Sequence, residues 1–208
     1  MLSRRIVLGA ALAASLIGTP AMAVEEPLYQ VVQHDGAIEV RDYPALVVAE
    51  VTVDGDQREA AGRGFRLLAG YIFGGNKTRA KIAMTAPVAQ TPTSEKIAMT
   101  APVTQTPSGG PDHWIVRFTM PHGYALETLP VPDDSRVHLQ RVAPVRVAVV
   151  RFSGLAGKAD VDAKTRELIA WIEKHHLRAT GPATLAQYDP PWTLWFARRN
   201  EVMIPIAS

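Results

Sequence analysis

The stretch IEVRDYPALVVAEVTVDG, residues Ile38–Gly55, decides the fold together with VHLQRVAPVRVAVVRFSG, residues Val137–Gly154. The two stretches align without gaps at an offset of 99 residues. Each alternates apolar and polar residues around one proline, Pro44 or Pro144, which is typical of two half-buried strands joined at a corner. A helical pattern follows each stretch. We therefore predict an α+β fold, a distorted β-barrel of two pseudo-symmetric halves with two flanking helices. Chance similarity between two β-rich segments is the alternative explanation.

The first helix is predicted over residues 57–73 and the second over residues 158–176. Apolar side chains recur at helical spacing in the first helix, at Ala61, Phe65, Leu68 and Ile72. In the second helix the inward positions are Val161, Leu168, Ile169 and Ile172. Glycines weaken the first helix by about 1 kcal/mol each relative to alanine, at Gly62, Gly64 and Gly70. Either the helix packs closely on the sheet there, or the glycines leave room for a flat ligand.

Alternation of apolar and polar residues also predicts the strands of the sheet. They are Tyr29–His34, Ala37–Arg41, Leu46–Val53, His113–Met120, Arg136–Val142, Val145–Phe152 and Val202–Ile206. A near-perfect repeat lies between the halves, because KIAMTAPV at Lys81–Val88 recurs at Lys96–Val103. Pro87 and Pro102 cannot donate to a sheet ladder, so the repeat belongs at a rim of the sheet. It forms either two neighbouring strands or one strand with a looped-out duplicate.

Residues 1–23 have the features of a secretory signal peptide, and residues 24–208 are predicted to form one domain. Arg4 and Arg5 precede an apolar run of about 13 residues, and Ala21-Met22-Ala23 provides a cleavage site. The run is shorter than the roughly 20 residues that span a bilayer, so a retained anchor is the weaker alternative. We expect a periplasmic or secreted protein with no stable membrane anchor after cleavage, exported by the general or the twin-arginine route.

The composition excludes several functions. Removal of residues 1–23 takes Arg4 and Arg5 from the 22 lysines and arginines, so the basic residues that remain equal the 20 acidic residues in number. Because the chain also has no basic run, nucleic acid is not an expected partner. The absence of cysteine rules out disulfides, thiolate ligands, a cysteine nucleophile and thioether attachment of a cofactor.

Several motifs occur in a characteristic order and spacing along the chain. They are Ile38-Glu39-Val40-Arg41-Asp42-Tyr43, Gly64-Phe65, Gly74-Gly75-Asn76, both KIAMTAPV copies, Phe118-Thr119-Met120-Pro121 and Tyr188-Asp189-Pro190-Pro191-Trp192. Together they resemble the SOUL heme-binding family over essentially the whole chain after residue 23. The resemblance implies the same α+β barrel. It also implies non-covalent binding of heme or free porphyrin in a groove between the first helix and the loop before the last strand.

Transferred residue by residue, the resemblance places the tetrapyrrole ring against Phe65, Leu68, Tyr71, Trp192, Leu194 and Trp195. The propionates would then contact Arg63, Arg66, Arg198 or Arg199, because guanidinium groups pair with carboxylates in a forked geometry. Core packing is the ordinary alternative for the apolar helix residues, and solvation or a bridge to Glu201 is the alternative for the last two arginines. Some family members carry basic residues where this chain has Gly62 and Gly70, so the propionate contacts depart from the family pattern.

The ligation of iron is not predicted with the same detail. The first helix contains no histidine, methionine or cysteine, and Asp42 stands where some family members have a histidine. Tyr71 is the possible iron ligand, acting as a phenolate. These features favour a carrier, buffer or sensor of tetrapyrrole over an enzyme, because no catalytic constellation is visible. A tetrapyrrole-processing enzyme and a docking module for another apolar ligand or protein segment are the alternatives.

Overall fold

A computed structural model describes residues 24–78, 94–110 and 112–207. The predicted signal peptide and the first KIAMTAPV copy lie outside these residues. The described chain forms the helices α1, Gln57–Ile72, and α2, Lys158–Lys174. Its strands are β1 Gln30–Asp35, β2 Ile38–Tyr43, β3 Leu46–Asp54, β4 Asn76–Lys77, β5 Val103–Pro107, β6 His113–Thr119, β7 Val131–Pro132, β8 His138–Val142, β9 Val145–Phe152, β10 Thr184–Gln187 and β11 Asn200–Pro205.

Both helices lie where the sequence pattern predicts them. The carboxylate of Asp56 caps α1 by accepting a hydrogen bond from the backbone N–H of Glu59 at 2.8 Å. Gly74 follows the end of α1 with a φ of 117°, a conformation that favours glycine. Ile169 of α2 is 40% exposed, so its predicted inward orientation is wrong. Neither helix in the described part of the chain is long and apolar enough to cross a membrane.

Within the described residues, one antiparallel sheet has the strand order β1-β2-β9-β11-β10-β5-β6-β3-β8, and β4 pairs with β7 separately. Apart from β1, the strand order is symmetric. When each strand is replaced by its counterpart in the other half, the result is the same order read from the opposite end. β2 and β3 correspond to β8 and β9, and β5 and β6 correspond to β10 and β11. The halves interlock, because β2 pairs with β9 and β3 pairs with β8.

Two short corners force this sheet to curl. β2 and β3 lie far apart in the strand order, yet only Pro44 and Ala45 connect them. Ala143 and Pro144 connect β8 to β9 in the same way. Since an extended residue spans about 3.5 Å, each corner brings distant strands to within roughly 10 Å of each other. The sheet therefore forms the distorted barrel that the sequence predicts, strongly curled and flanked by two helices.

The helices cover the outer face of the curled sheet. α1 lies on β3 and β6, and α2 lies on β9 and β11, so each half buries an apolar core of its own. The inner face carries a third apolar cluster around Tyr43, Val147 and Val149. No helix in the described part of the chain packs on that inner face, which leaves it as a candidate binding surface.

The second KIAMTAPV copy is mostly not a strand. β5 begins only at its last residue, Val103. Earlier in the copy, the backbone N–H of buried Ile97 donates to the carbonyl of Ile72 at 2.8 Å, which ties the segment to the end of α1. Thr100 forms an isolated bridge with Glu25. The segment lies at a rim of the sheet, as its prolines indicate.

Candidate functional site

The three apolar residues that the resemblance assigns on α1 differ in their exposure. Leu68 is completely buried, and Tyr71 is 2% exposed. The Tyr71 hydroxyl donates a hydrogen bond to the carbonyl of Pro130 at 3.0 Å. Phe65 is half-buried, with its ring in an edge-to-face contact with Phe118 at a centroid distance of 5.5 Å. Core packing therefore accounts for Leu68 and Tyr71, and Phe65 reaches the surface of α1.

Arg63 and Arg66 lie on the exposed side of α1. Together with Arg58 they line a shallow surface depression. Among the described residues, none of these three guanidinium groups has an ion-pair partner within 4 Å. Glu59 lines the same depression, so this face of α1 carries three arginines and one carboxylate, and within the described residues its guanidinium groups have donors left for a ligand carboxylate.

The loop between β10 and β11 exposes large apolar side chains. We refer to residues 190–197 as the aromatic loop. Its exposed residues are Trp192 at 82%, Leu194 at 63%, Trp195 at 61% and Phe196 at 58%. The rings of Trp195 and Phe196 meet nearly at right angles, 5.7 Å apart. An exposed group of this size and chemistry is typical of a surface that binds a ligand or a partner.

Arg198 holds the aromatic loop in its shape. Its Nε donates to the carbonyl of Thr193 at 2.8 Å, and a terminal nitrogen donates to the carbonyl of Pro191. The backbone N–H of Arg199 donates to Asp189 at 2.6 Å and fastens the base of the loop. The apolar side chains are thus presented on a preorganised segment, which lowers the entropy cost of binding. The guanidinium of Arg198 thus donates its hydrogen bonds to carbonyl groups of the loop itself.

Arg199 belongs to a buried charge cluster beside the loop. Glu201, with 0% exposure, accepts hydrogen bonds from Arg41 at 2.8 Å, from Arg199 at 2.8 Å and from the hydroxyl of Tyr188 at 2.6 Å. Burial opposes ionisation of this carboxyl, but the bonds from Arg41 and Tyr188 outweigh it and hold the pKa of Glu201 below its usual range. Arg199 also bonds Glu26 at 3.0 Å. A propionate at Arg199 would therefore compete with two carboxylates.

The described residues do not assemble all the predicted residues into one cavity. The structure groups Arg63 with Arg66 on α1 and groups the exposed apolar side chains on the aromatic loop. It shows no contact between these two groups within the described ranges. The groove that the resemblance implies between them stays a prediction.

The described residues contain no ready site for a free metal ion, which is a separate question from the one or two axial ligands that heme iron takes. Nowhere among them do three His, Asp or Glu side chains converge as a metal site. His175 stacks on Trp171, whereas His113 pairs with Asp54. Iron ligation by Tyr71, which the family resemblance leaves possible, would require its bond to Pro130 to break. The side chains present suit an apolar ring with carboxylate substituents better than a metal ion.

A cavity that the sequence pattern does not predict lies on the inner face of the curled sheet. This cavity has a volume of 390 Å³, within the range of about 300–1,000 Å³ that ligand sites occupy. Its aliphatic wall comes from both halves: Leu46, Val48, Val145, Val147 and Met203. Pro27 closes one side, because the segment before β1 crosses the rim. There the carbonyl of Glu25 accepts from the N–H of Ala101 at 2.9 Å, and Glu26 accepts from Arg199.

The curled antiparallel sheet with two helices on its outer face defines an α+β half-barrel, and solved structures share this fold. The EcmrR C-terminal domain is similar with a TM-score of 0.56 and 11% identity, over 87% of this chain and 99% of that domain. A hydrolase from Listeria innocua is similar with a TM-score of 0.54 and 15% identity, over 85% of this chain and 94% of that one. At such identities the likeness shows the fold alone.

The sequence establishes the family. The family model described as SOUL heme-binding protein matches residues 24–205, and the chain belongs to that family. The comparison with curated proteins gives no match. Family membership indicates binding of heme or another tetrapyrrole, and the family is one of binding proteins.

Proposed function

We propose that the chain is an exported tetrapyrrole-binding protein that holds heme or free porphyrin non-covalently at the aromatic loop. The observation that carries this proposal is the 82% exposure of Trp192 on a loop that Arg198 holds in shape. Soluble proteins seldom expose several large apolar side chains together without a partner for them. The family supplies the class of that partner.

The chemistry of the exposed residues fits a tetrapyrrole. Trp192, Leu194 and Trp195 would hold the ring by apolar contact, and Arg63 and Arg66 have guanidinium groups available for propionates. Burying about 300 Å² of apolar ring at roughly 25 cal/mol/Å² gives about 7 to 8 kcal/mol before the costs of association. With no association cost this magnitude would correspond to a dissociation constant of a few micromolar, so we expect weaker than micromolar binding from the ring alone, with propionate pairing or iron ligation adding to it. Bound heme would supply a strong visible absorption and iron-centred chemistry.

A carrier, buffer or sensor role outside the cytoplasm follows from the signal peptide predicted at residues 1–23. The chemistry of this proposal is binding and release rather than turnover, which agrees with the family's character. The balanced charge of the chain after the leader supports neither a nucleic-acid partner nor electrostatic attachment to a membrane surface.

The test is a hemin titration followed by absorbance, with Trp192→Ala compared with Ile169→Ala. Ile169 is the matched control, because it is an exposed apolar residue of α2 and does not belong to the aromatic loop. We expect Trp192→Ala to weaken hemin binding by about 1 to 3 kcal/mol, the cost of losing a large apolar contact. The control should bind like the wild type. Equal affinity of the two variants would exclude the aromatic loop as the site.

The same titration tests iron ligation by Tyr71. Tyr71→Phe keeps the ring and removes the oxygen that could coordinate iron. A Soret band that is unchanged in position and affinity would exclude this ligand. A changed band in a folded variant would support phenolate coordination.

A further inference from the structure

The cavity on the inner face of the curled sheet is separate from the aromatic loop, and its lining includes none of residues 190–197. We infer that this cavity is a second ligand site, which takes an aliphatic carboxylate such as a fatty acid. The inference does not depend on the proposed function, because it rests on other residues and another face of the fold.

The walls of the cavity determine the apolar part of the ligand. Aliphatic side chains from β3, β9 and β11 surround it, and the corners at Pro44 and Pro144 bring these strands together. Val48 and Val147 are buried, with only 3% and 5% exposure, so the floor of the cavity is closely packed. Tyr43 is the one aromatic residue among the described lining residues. Aliphatic walls of this kind suit a flexible hydrocarbon chain, which adapts to an irregular surface.

One charged group, Arg117 of β6, lines the cavity among the described residues. Its Nε donates to Glu50 of β3 at 2.6 Å. The structure gives its two terminal nitrogens no hydrogen-bond partner within the described part of the chain. Thr104 lies directly across from Arg117 on β5, and Thr119 lies two residues along β6. The polar groups of the cavity are therefore concentrated around one guanidinium.

A second arginine on the same face of the sheet shows what such a group binds. Arg41 of β2 donates from Nε to Glu39 at 2.7 Å, as Arg117 does to Glu50. The terminal nitrogens of Arg41 hold the carboxylate of Glu201 in a forked pair, at 2.8 and 3.1 Å. A ligand carboxylate at Arg117 would take the position that Glu201 takes at Arg41. Forked guanidinium–carboxylate pairing is strong and specific when it is partly buried.

The first test needs no variant. Dodecanoate and dodecanol are titrated separately into the purified chain by calorimetry, because they differ only in the carboxylate that Arg117 would bind. We expect one dodecanoate per chain, bound at least about tenfold more tightly than dodecanol, the factor for a charge-assisted hydrogen bond. Absence of dodecanoate binding, or equal binding of the two compounds, would overturn the inference.

The second test uses the double variant Arg117→Gln/Glu50→Gln, which removes both charges and leaves neither one buried without a partner. Its matched control is Arg146→Gln/Asp42→Asn. That pair joins neighbouring strands at 2.6 Å and does not line the cavity. We expect the first variant to lose at least about tenfold in dodecanoate affinity and to bind dodecanol as the wild type does. The control should bind both compounds unchanged.

A competition experiment separates this site from the proposed tetrapyrrole site. Hemin is titrated into the chain saturated with dodecanoate, and independent sites predict an unchanged hemin affinity. One-for-one displacement would overturn the inference, because the inner cavity would then be the tetrapyrrole site. Hemin binding without any dodecanoate binding would also overturn it and leave the proposed function standing.

Discussion

Replacing Gly64 of α1 by alanine tests how closely this helix packs on the sheet. An added Cβ at Gly64 would lie 2.6 Å from both Cβ and Cγ2 of Val116, well inside contact distance. Val116 is completely buried and stiff at χ1, so it cannot turn away. Overpacking of this severity costs about 3 kcal/mol, the upper part of its usual range. Better helix propensity returns about 1 kcal/mol, which leaves a net loss of about 2 kcal/mol.

Gly70→Ala is the matched control, because no atom lies within 4 Å of its added Cβ. This change should stabilise the protein by about 1 kcal/mol through helix propensity alone. For a chain of this size, 1 kcal/mol corresponds to about 2–4 °C in melting temperature. Thermal unfolding followed by circular dichroism should show Gly64→Ala about 4–8 °C below the wild type and Gly70→Ala about 2–4 °C above it. Gly64→Ala melting at or above the wild-type temperature would refute the close packing.

Two further predictions concern the buried charge cluster and the leader. Glu201→Gln leaves Arg41 and Arg199 buried without their main countercharge and should cost about 3 to 5 kcal/mol in urea unfolding. Because the fold lowers the pKa of Glu201 from its ordinary value of 4.5, its contribution is present above that pH and is lost as the pH falls through the folded pKa. The variant should therefore lose less stability on acidification than the wild type, and an equal loss would argue against the cluster. The cleavage site predicts a mature chain starting at Val24, and an intact mass from the native host that retains residues 1–23 would contradict it.

The elements that the sequence predicted well are those with one buried face. α1 and α2 have apolar residues at helical spacing and clear stop signals, and the structure places them within two residues of the predicted ends. The strands around Pro44 and Pro144 were also predicted, from their alternation of apolar and polar residues. β5 and β10 were not predicted, because their short sequences VTQTP and TLAQ hold too few apolar residues to show an alternation. Short strands of this kind depend on their neighbours rather than on their own sequence.

The candidate sites were harder to predict for a related reason. Leu46–Ala49 of β3 and Val147–Val150 of β9 are apolar on both faces, so alternation in these parts does not reveal which face a helix covers and which face lines a cavity. In the aligned repeat Leu46 is equivalent to Val145, and Val48 is equivalent to Val147. This equivalence was the signal in the sequence for an inner wall that both halves share. Within the described residues the terminal nitrogens of Arg117 have no hydrogen-bond partner, which is a property of three-dimensional packing and leaves no trace in the sequence.

The aromatic loop gives the opposite case. The family motif placed Trp192, Leu194 and Trp195 against a ligand, and the structure exposes all three side chains. The bridge to Glu201, which the sequence offered as the alternative for these arginines, is present at Arg199, whereas the bonds of Arg198 within its own loop were not predicted. Arg198 donates a hydrogen bond to the carbonyl of Thr193, and Arg199 donates to the carboxylate of Glu201. A motif identifies residue types, whereas their hydrogen-bond partners depend on the fold.

The interlocked halves set the order in which this chain is able to fold during synthesis. Ile38 pairs with Val150, and Leu46 pairs with Val142, so β2 joins the main sheet only through a strand made about a hundred residues later. A ribosome that adds about 5–20 residues per second leaves the emerging β1–β2 hairpin unattached for roughly 5 to 20 s. Ile38, Val40 and Tyr43, which are buried in the finished fold, stay exposed throughout that interval, and transiently exposed apolar side chains of this kind are what chaperones protect.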